Sequence, residues 1–109
     1  MSHETLADQL IAVLIEAGAK RIYGVVGDSL NPVVDAVRRA DGIEWVHVRS
    51  EEAGAFAAAA EAQLTGRLAV CGGSCGPGSI HMIQGLYDAN RTGAPVLAIA
   101  SQIPSPYVG

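Results

Sequence analysis

Short apolar runs alternate with helical stretches from one end of this chain to the other, and that alternation leaves few folds open. Leu6, Leu10, Val13, Leu14 and Ala17 recur at helical spacing, with Gly18 as a stop. Residues 21–26 read as a short buried strand that ends at Gly27-Asp28-Ser29. Asn31 is expected to cap the next helix, with Pro32 just inside it and Val33, Val34, Ala36 and Val37 on its apolar side. Further strands are expected at 43–48, 68–71 and 95–100, and helices over 51–64 and 79–90. Strict α-β alternation with short apolar strands means a parallel sheet covered by helices on both faces, a doubly wound three-layer α/β/α domain. The run Ile103-Pro104-Ser105-Pro106 reads as a crossing segment, so residues 1–109 are expected to be one domain of a longer protein, cut after about four strands.

Composition narrows the partners. Half of the 109 residues are hydrophobic and 17% are charged, which excludes disorder and leaves apolar surface for a partner such as a second copy. The net charge of −4, with no basic run, argues against nucleic acid. No apolar segment approaches the ~20 residues that span a bilayer, and MSHETLADQL is not a signal peptide. The expected location is the cytoplasm, with contact to a membrane surface only through parts outside this chain. Cys71 and Cys75 form a C-x₃-C pair with no second ligand cluster, and His3, His47 and His81 are isolated from one another. The two thiols therefore read as structural or loop cysteines, and no metal site is expected.

In a doubly wound sheet, the loops at the carboxyl ends of the strands carry function. Here these are GDSLN, RSEE, GGSCGPG and SQIP. None is a phosphate cradle: the G-x-x-x-x-G-K-[ST] and G-x-G-x-x-G spacings are absent, and the only lysine is Lys20. Pro77 also removes a backbone donor that a phosphate nest would use. Ser29, Ser74 and Ser79 lie outside any G-x-S-x-G elbow and read as turn or cap serines, while Asp28 reads as a turn residue. His81 lies just behind the Gly-Pro-Gly loop, where a pocket role and a solvent-facing role are both open. Two adjacent carboxylates, Glu51 and Glu52, open a helix of small residues. Either could simply favour the positive end of the helix, but a strand-to-helix junction is also where such sheets bind ligands.

Taken together, these loops resemble the N-terminal domain of thiamine-diphosphate-dependent enzymes that act on 2-keto acids. YGVVGDSLNPVVDAV is similar to the first strand and loop of that family. RSEEAGAFAAAAEAQLTGRLAV resembles its R-H-E-x-x-A-x-x-A-x-x-x-A glutamate motif, and GGSCGPGSIHMIQGLYDANRTGAPVLAIASQIP its S-G-P-G loop, helix and fourth strand. GDSLN and GSCGPGSIHMIQGLYDA look closest to pyruvate oxidases and quinone-linked pyruvate dehydrogenases, with acetolactate synthases further off. The resemblance implies that the domain binds the aminopyrimidine ring of the cofactor and that Glu51 is catalytic. Hydrogen-bonded to ring N1′, its carboxyl would favour the imino tautomer that takes the C2 proton of the thiazolium in ylid formation. The family pattern also implies Gly27, Gly76, Pro77, His81 and Gln102 around the ring.

Glu52, about 100° further round the helix, reads as a surface or interface charge. The histidine usual before the glutamate is Ser50 here. The G-D-G…N-N segment that holds Mg²⁺ and the diphosphate is absent, as is the middle domain that binds FAD in the oxidases. The resemblance therefore implies that Mg²⁺, and FAD in an oxidase, belong to other domains, and that the active unit is a homodimer or larger homo-oligomer. Self-association is expected through the alanine-rich helix and the helix from Ser79. Two readings compete with a cofactor-binding half-site: a non-catalytic dimerisation or docking module, and a generic nucleotide-binding α/β domain that the missing lysine disfavours.

Overall fold

A computed structural model describes residues 4–108; His3 lies outside the described residues. Its elements are α1 (Leu6–Glu16), β1 (Arg21–Gly24), a 3₁₀ turn (Asp28–Leu30), α2 (Asn31–Arg39), β2 (Glu44–His47), α3 (Glu51–Thr65), β3 (Ala69–Gly73), α4 (Pro77–His81), α5 (Ile83–Thr92), β4 (Val96–Ala100) and a second 3₁₀ turn (Ser105–Tyr107). The four strands form one parallel sheet in the order β2-β1-β3-β4. This is the doubly wound α/β fold that the alternation dictates.

Strand alternation divides the interior into two cores, one on each sheet face. Ile22 and Val70 point to the side covered by α1 and α2, where Ile11, Leu14, Ala36, Val37 and Ile43 complete the layer. Ala69 and Cys71 point to the other side, under Ala55, Ala58 and Ala62 of α3 and Met82 of the α4–α5 junction. The all-buried pattern of β3 is that of a strand covered on both faces.

Several expectations need correction. The buried face of α1 is Ile11 and Leu14, with Ala7, Leu10 and Ile15 packed against the same core, whereas Leu6, Val13 and Ala17 face out. Apolar residues occur all round this helix, so periodicity alone could not fix its rotation. Thr5, with Asp8, closes a capping box at its start. Asn31 is not a cap: the 3₁₀ turn delivers the chain already coiled, Leu30 is the N-cap, and Asn31 is the first helical residue. The expected helix over 79–90 begins earlier, at Pro77, and is interrupted at Met82. There the Met82 N–H shifts to an i→i−3 bond with the Ser79 carbonyl at 3.3 Å, and the side chain is buried.

The alanines of α3 also have a different use from the expected one. Ala55, Ala58, Ala59 and Ala62 are buried within the chain itself, and α5 is the body that comes close. At Gly85 the two helix backbones approach so nearly that a Cβ would fall 2.6 Å from the Ala55 carbonyl carbon and 2.7 Å from the Phe56 nitrogen. The large apolar residues that α3 and α5 leave exposed are Phe56, Leu64, Ile83 and Tyr87, joined by Ile80 of α4. An ionic cluster ties α3 to β1 on the same sheet face. Glu61, with a side chain only 9% exposed, accepts from Arg21 and, at 2.8 Å, from the Tyr23 hydroxyl. Burial first, and then the Glu61 bond, raises the Tyr23 pKa above the usual phenol value.

Candidate functional site

The strand order reverses its direction of growth between β1 and β3, which makes the carboxyl ends of those two strands the topological switch point. Glycines let the loops meet there. A Cβ on Gly27, after β1, would come within 2.6 Å of the Ser74 hydroxyl oxygen, after β3. A Cβ on Gly73 would fall 2.6 Å from the Gly78 carbonyl oxygen, so the 73–78 loop folds back on its own strand. Gly76, at φ 71°, makes the turn that hands the chain to Pro77 and α4.

Glu51 approaches this loop from the end of β2. Ser50 caps α3, its hydroxyl oxygen accepting from the Ala53 N–H at 3.3 Å, and Glu51 follows as the first helical residue. A serine here thus serves the helix start. The Glu51 side chain is only 12% exposed. Its Oε1 lies 3.1 Å from His81 Nδ1, and its Oε2 lies where a Cβ on Gly78 would be 3.0 Å away. The carboxyl is therefore held between an imidazole and a wall that carries no side chain. The flanking residues Gly54 and Ala55 are buried, whereas Ala53 and Glu52 face out. The setting of Glu51 is thus less apolar than its sequence neighbours imply, because His81 reaches it from α4.

The other expected site residues divide into two groups. Glu51 and His81 are in contact. Gly76 and Pro77 are exposed at the top of the same loop. Gln102 belongs to a separate cleft of about 550 Å³, lined by Asp28, Ser29, Pro32, Cys75, Ile103 and Pro104, where its Oε1 accepts from the Ile103 N–H at 2.9 Å. Gly27 stands between the groups, against Ser74. Both cysteines are free thiols, Cys71 buried and Cys75 partly so, and burial pushes the Cys71 pKa up to about 11. Among the described residues there is no group of three or more His, Cys, Asp or Glu placed to hold a metal ion.

Two parts of this region escape sequence reasoning. In the sequence Gly78 is one member of a flexible Gly-Pro-Gly triplet, yet in the fold it forms the wall at Glu51. The serines look like separate turn residues, but three of them meet: Ser29 Oγ lies 2.8 Å from Ser74 Oγ and 2.6 Å from Ser101 Oγ. Each follows a different strand, so only the strand order could show that they converge.

Residues 4–109 match the family described as thiamine pyrophosphate enzyme, N-terminal TPP binding domain. The chain belongs to that family. Thiamine pyrophosphate is another name for thiamine diphosphate. Among relatives of this TPP-enzyme domain, a Pseudomonas amyloderamosa protein described as an uncharacterized 42.6 kDa protein in the isoamylase 3′ region is 59% identical over 109 residues, covering 100% of this chain and 28% of the relative. The pyruvate oxidase of Lactiplantibacillus plantarum is 46% identical over 99 residues, covering 89% of this chain and 16% of the oxidase. The large subunit of acetolactate synthase from Parasynechococcus marenigrum is 36% identical over 106 residues, covering 94% of this chain and 17% of the subunit. The chain thus spans a minor part of the length of each. The higher identity to the oxidase agrees with the wording of the GDSLN and GSCGPG loops.

Proposed function

We propose that this domain supplies the aminopyrimidine-binding half of a thiamine-diphosphate site in an enzyme of the pyruvate oxidase type, with Glu51 as its catalytic carboxyl. One observation carries the reading. Glu51, nearly buried at the carboxyl edge of the sheet, is held by His81 on one oxygen and faces the bare backbone of Gly78 with the other. These residues fit the group. A heteroaromatic nitrogen needs a carboxyl with which to share a proton, and a flat ring needs a wall without side chains.

When bound, the cofactor supplies the electron sink that makes loss of carbon dioxide from a 2-keto acid feasible. The protein's part is to place a carboxyl at the ring nitrogen and to keep its geometry fixed. Ser50 and the helix start orient Glu51, and His81 restricts the rotation of its carboxylate. Gly27, Gly76 and Pro77 shape the loop that borders the ring, and Gln102 borders the neighbouring cleft. Mg²⁺ and, for an oxidase, FAD would be held by domains outside these residues.

The active unit is a homodimer or larger homo-oligomer in this reading. Phe56, Ile83 and Tyr87 line an open groove of about 630 Å³ with Gln84, Asp88 and Arg91, and this groove lies on the helices next to the site. The same exposed face favours the second reading, a module that only docks or dimerises.

Full-length protein separates the two readings. Titration calorimetry with thiamine diphosphate and Mg²⁺ should show binding. Glu51→Gln should lower the rate of pyruvate decarboxylation by roughly 10²–10⁴-fold, the range for a lost general acid–base group. Wild-type turnover by Glu51→Gln would refute the assignment, and dimerisation without any cofactor binding would favour the docking module.

A further inference from the structure

Three serines meet at the switch point, and their connections lead to Glu51. Ser29 belongs to the loop after β1, Ser74 to the loop after β3, and Ser101 follows β4. Besides the two serine contacts, Ser29 Oγ accepts from the Cys75 N–H at 3.2 Å. The Ser101 hydroxyl and N–H each donate to the Gly73 carbonyl at 3.2 Å. Ser79 closes the loop from its far end, its N–H and its hydroxyl each donating to the Ser74 carbonyl at 2.8 Å.

One proton order satisfies this cluster. Ser101 O–H donates to the Gly73 carbonyl, Ser29 O–H donates to Ser101, and Ser74 O–H donates to Ser29. The two lone pairs of Ser29 are then filled by Ser74 and the Cys75 N–H. Ser29 is the only member bonded to both of the other serines. Its removal would orphan the Cys75 donor and release the Ser74–Cys75 turn. That turn runs directly into Gly78, the wall at Glu51 Oε2.

We propose that Ser29 is a positioning residue for the Glu51 site: by tying the ends of β1, β3 and β4 together it sets the depth of the Gly78 wall beside the carboxyl. The proposal rests on the cofactor reading above, and its consequences can be told apart from it. The probe is thiamine diphosphate with Mg²⁺, titrated into full-length protein. Ser29→Ala should raise its Kd about tenfold, equivalent to about 1.4 kcal/mol. Hydrogen exchange at the Cys75 amide should speed up in the same variant.

Because Ser29 acts through the Gly78 wall, the loss should shrink to within about twofold when Gly78→Ala has already altered that wall, whereas independent sites would add. Ser29→Thr, which keeps the hydroxyl, should restore affinity. If Ser29→Ala does not fold, Ser101→Ala tests the same link, since it frees Ser29 from one anchor while Cys75 keeps its acceptor. Wild-type protein that binds no thiamine diphosphate would remove both the cofactor reading and this role. Normal binding by Ser29→Ala, or a loss of the same size with and without Gly78→Ala, would overturn the positioning role and leave the cofactor reading standing.

Discussion

Gly85 of α5 lies directly on Ala55 of α3, one turn along the helix from Glu51, with no room for a side chain between the two backbones. The contact explains why a residue that weakens a helix by about 1 kcal/mol relative to alanine sits in the middle of α5. It also fixes α3 on the sheet, and with it the starting point of Glu51. Gly85→Ala gains helix propensity but forces the helices apart. We expect a net loss of ~1–3 kcal/mol, the usual cost of overpacking a filled interior. Urea unfolding should show this, while Gln84→Ala, on the exposed side, should stay within about 0.5 kcal/mol of wild type. Unchanged stability in Gly85→Ala would mean that the helices are not in contact as described.

Trp45 gives a second test. Its ring lies across Gly24 and Gly72, where a Cβ on Gly24 would come within 2.7 Å of Cζ2. Its Nε1 is buried and has no hydrogen-bond partner. An orphaned donor costs ~1–3 kcal/mol, which offsets part of what the indole gains by burial. Trp45→Phe removes the donor and keeps an aromatic ring, so its stability should lie within ~1 kcal/mol of wild type. Trp45→Ala should cost ~3 kcal/mol or more. A loss of ~3 kcal/mol in Trp45→Phe as well would count against an unpartnered indole N–H.

The cysteines should differ in reactivity. Cys71 is buried in the α3-side core and its pKa is pushed up to about 11, whereas Cys75 lines the open cleft. An aromatic disulfide reagent at pH 8 should label one thiol in the native protein and two after unfolding. The sign of the pH effect follows from the raised value. Below the unfolded-state pKa of about 9.0, Cys71 is neutral in both states and its contribution to stability is intact. As pH rises from 9.0 towards about 11, only the unfolded chain ionises there, and stability falls by roughly 1.4 kcal/mol per unit. Cys71→Ala should remove that part of the alkaline loss. An identical alkaline slope in the variant would contradict the burial of this thiol.

Much of the architecture is legible in the residues, for physical reasons. The four strands are short apolar runs bounded by glycine, proline or charge, and each appears within two residues of its expected start and end. Glu51 can be placed because a strand, two adjacent carboxylates and a run of small residues leave only one helix start. The rotation of α1 is not legible, because Leu6 and Val13 are as apolar as Ile11 and Leu14. Nor is the burial of the alanines, since it depends on Gly85, thirty residues beyond Ala55. The meeting of Ser29, Ser74 and Ser101 depends on strand order, which no local pattern encodes.

Gly76 and Gly78 allow space and conformation to be separated at the site itself. Gly76 has φ 71°, and a Cβ added there would meet nothing within 4 Å, so alanine is opposed only by backbone strain. With ψ −121° this backbone also lies outside the left-handed helical region; such sparsely populated conformations cost a non-glycine residue roughly 1–3 kcal/mol, and Gly76→Ala should lose about that much stability. Gly78 has no such conformation, but its Cβ would stand 3.0 Å from Glu51 Oε2. Gly78→Ala should therefore leave the unfolding midpoint nearly unchanged, because Glu51 Oε2 need give by only a few tenths of an ångström, and it should weaken thiamine diphosphate binding at least ~10-fold, or about 1.4 kcal/mol. Calorimetric titration of both full-length variants, alongside their urea midpoints, measures each effect separately. Gly78→Ala with wild-type affinity would show that the Gly78 face beside Glu51 is not the wall a bound ring rests on.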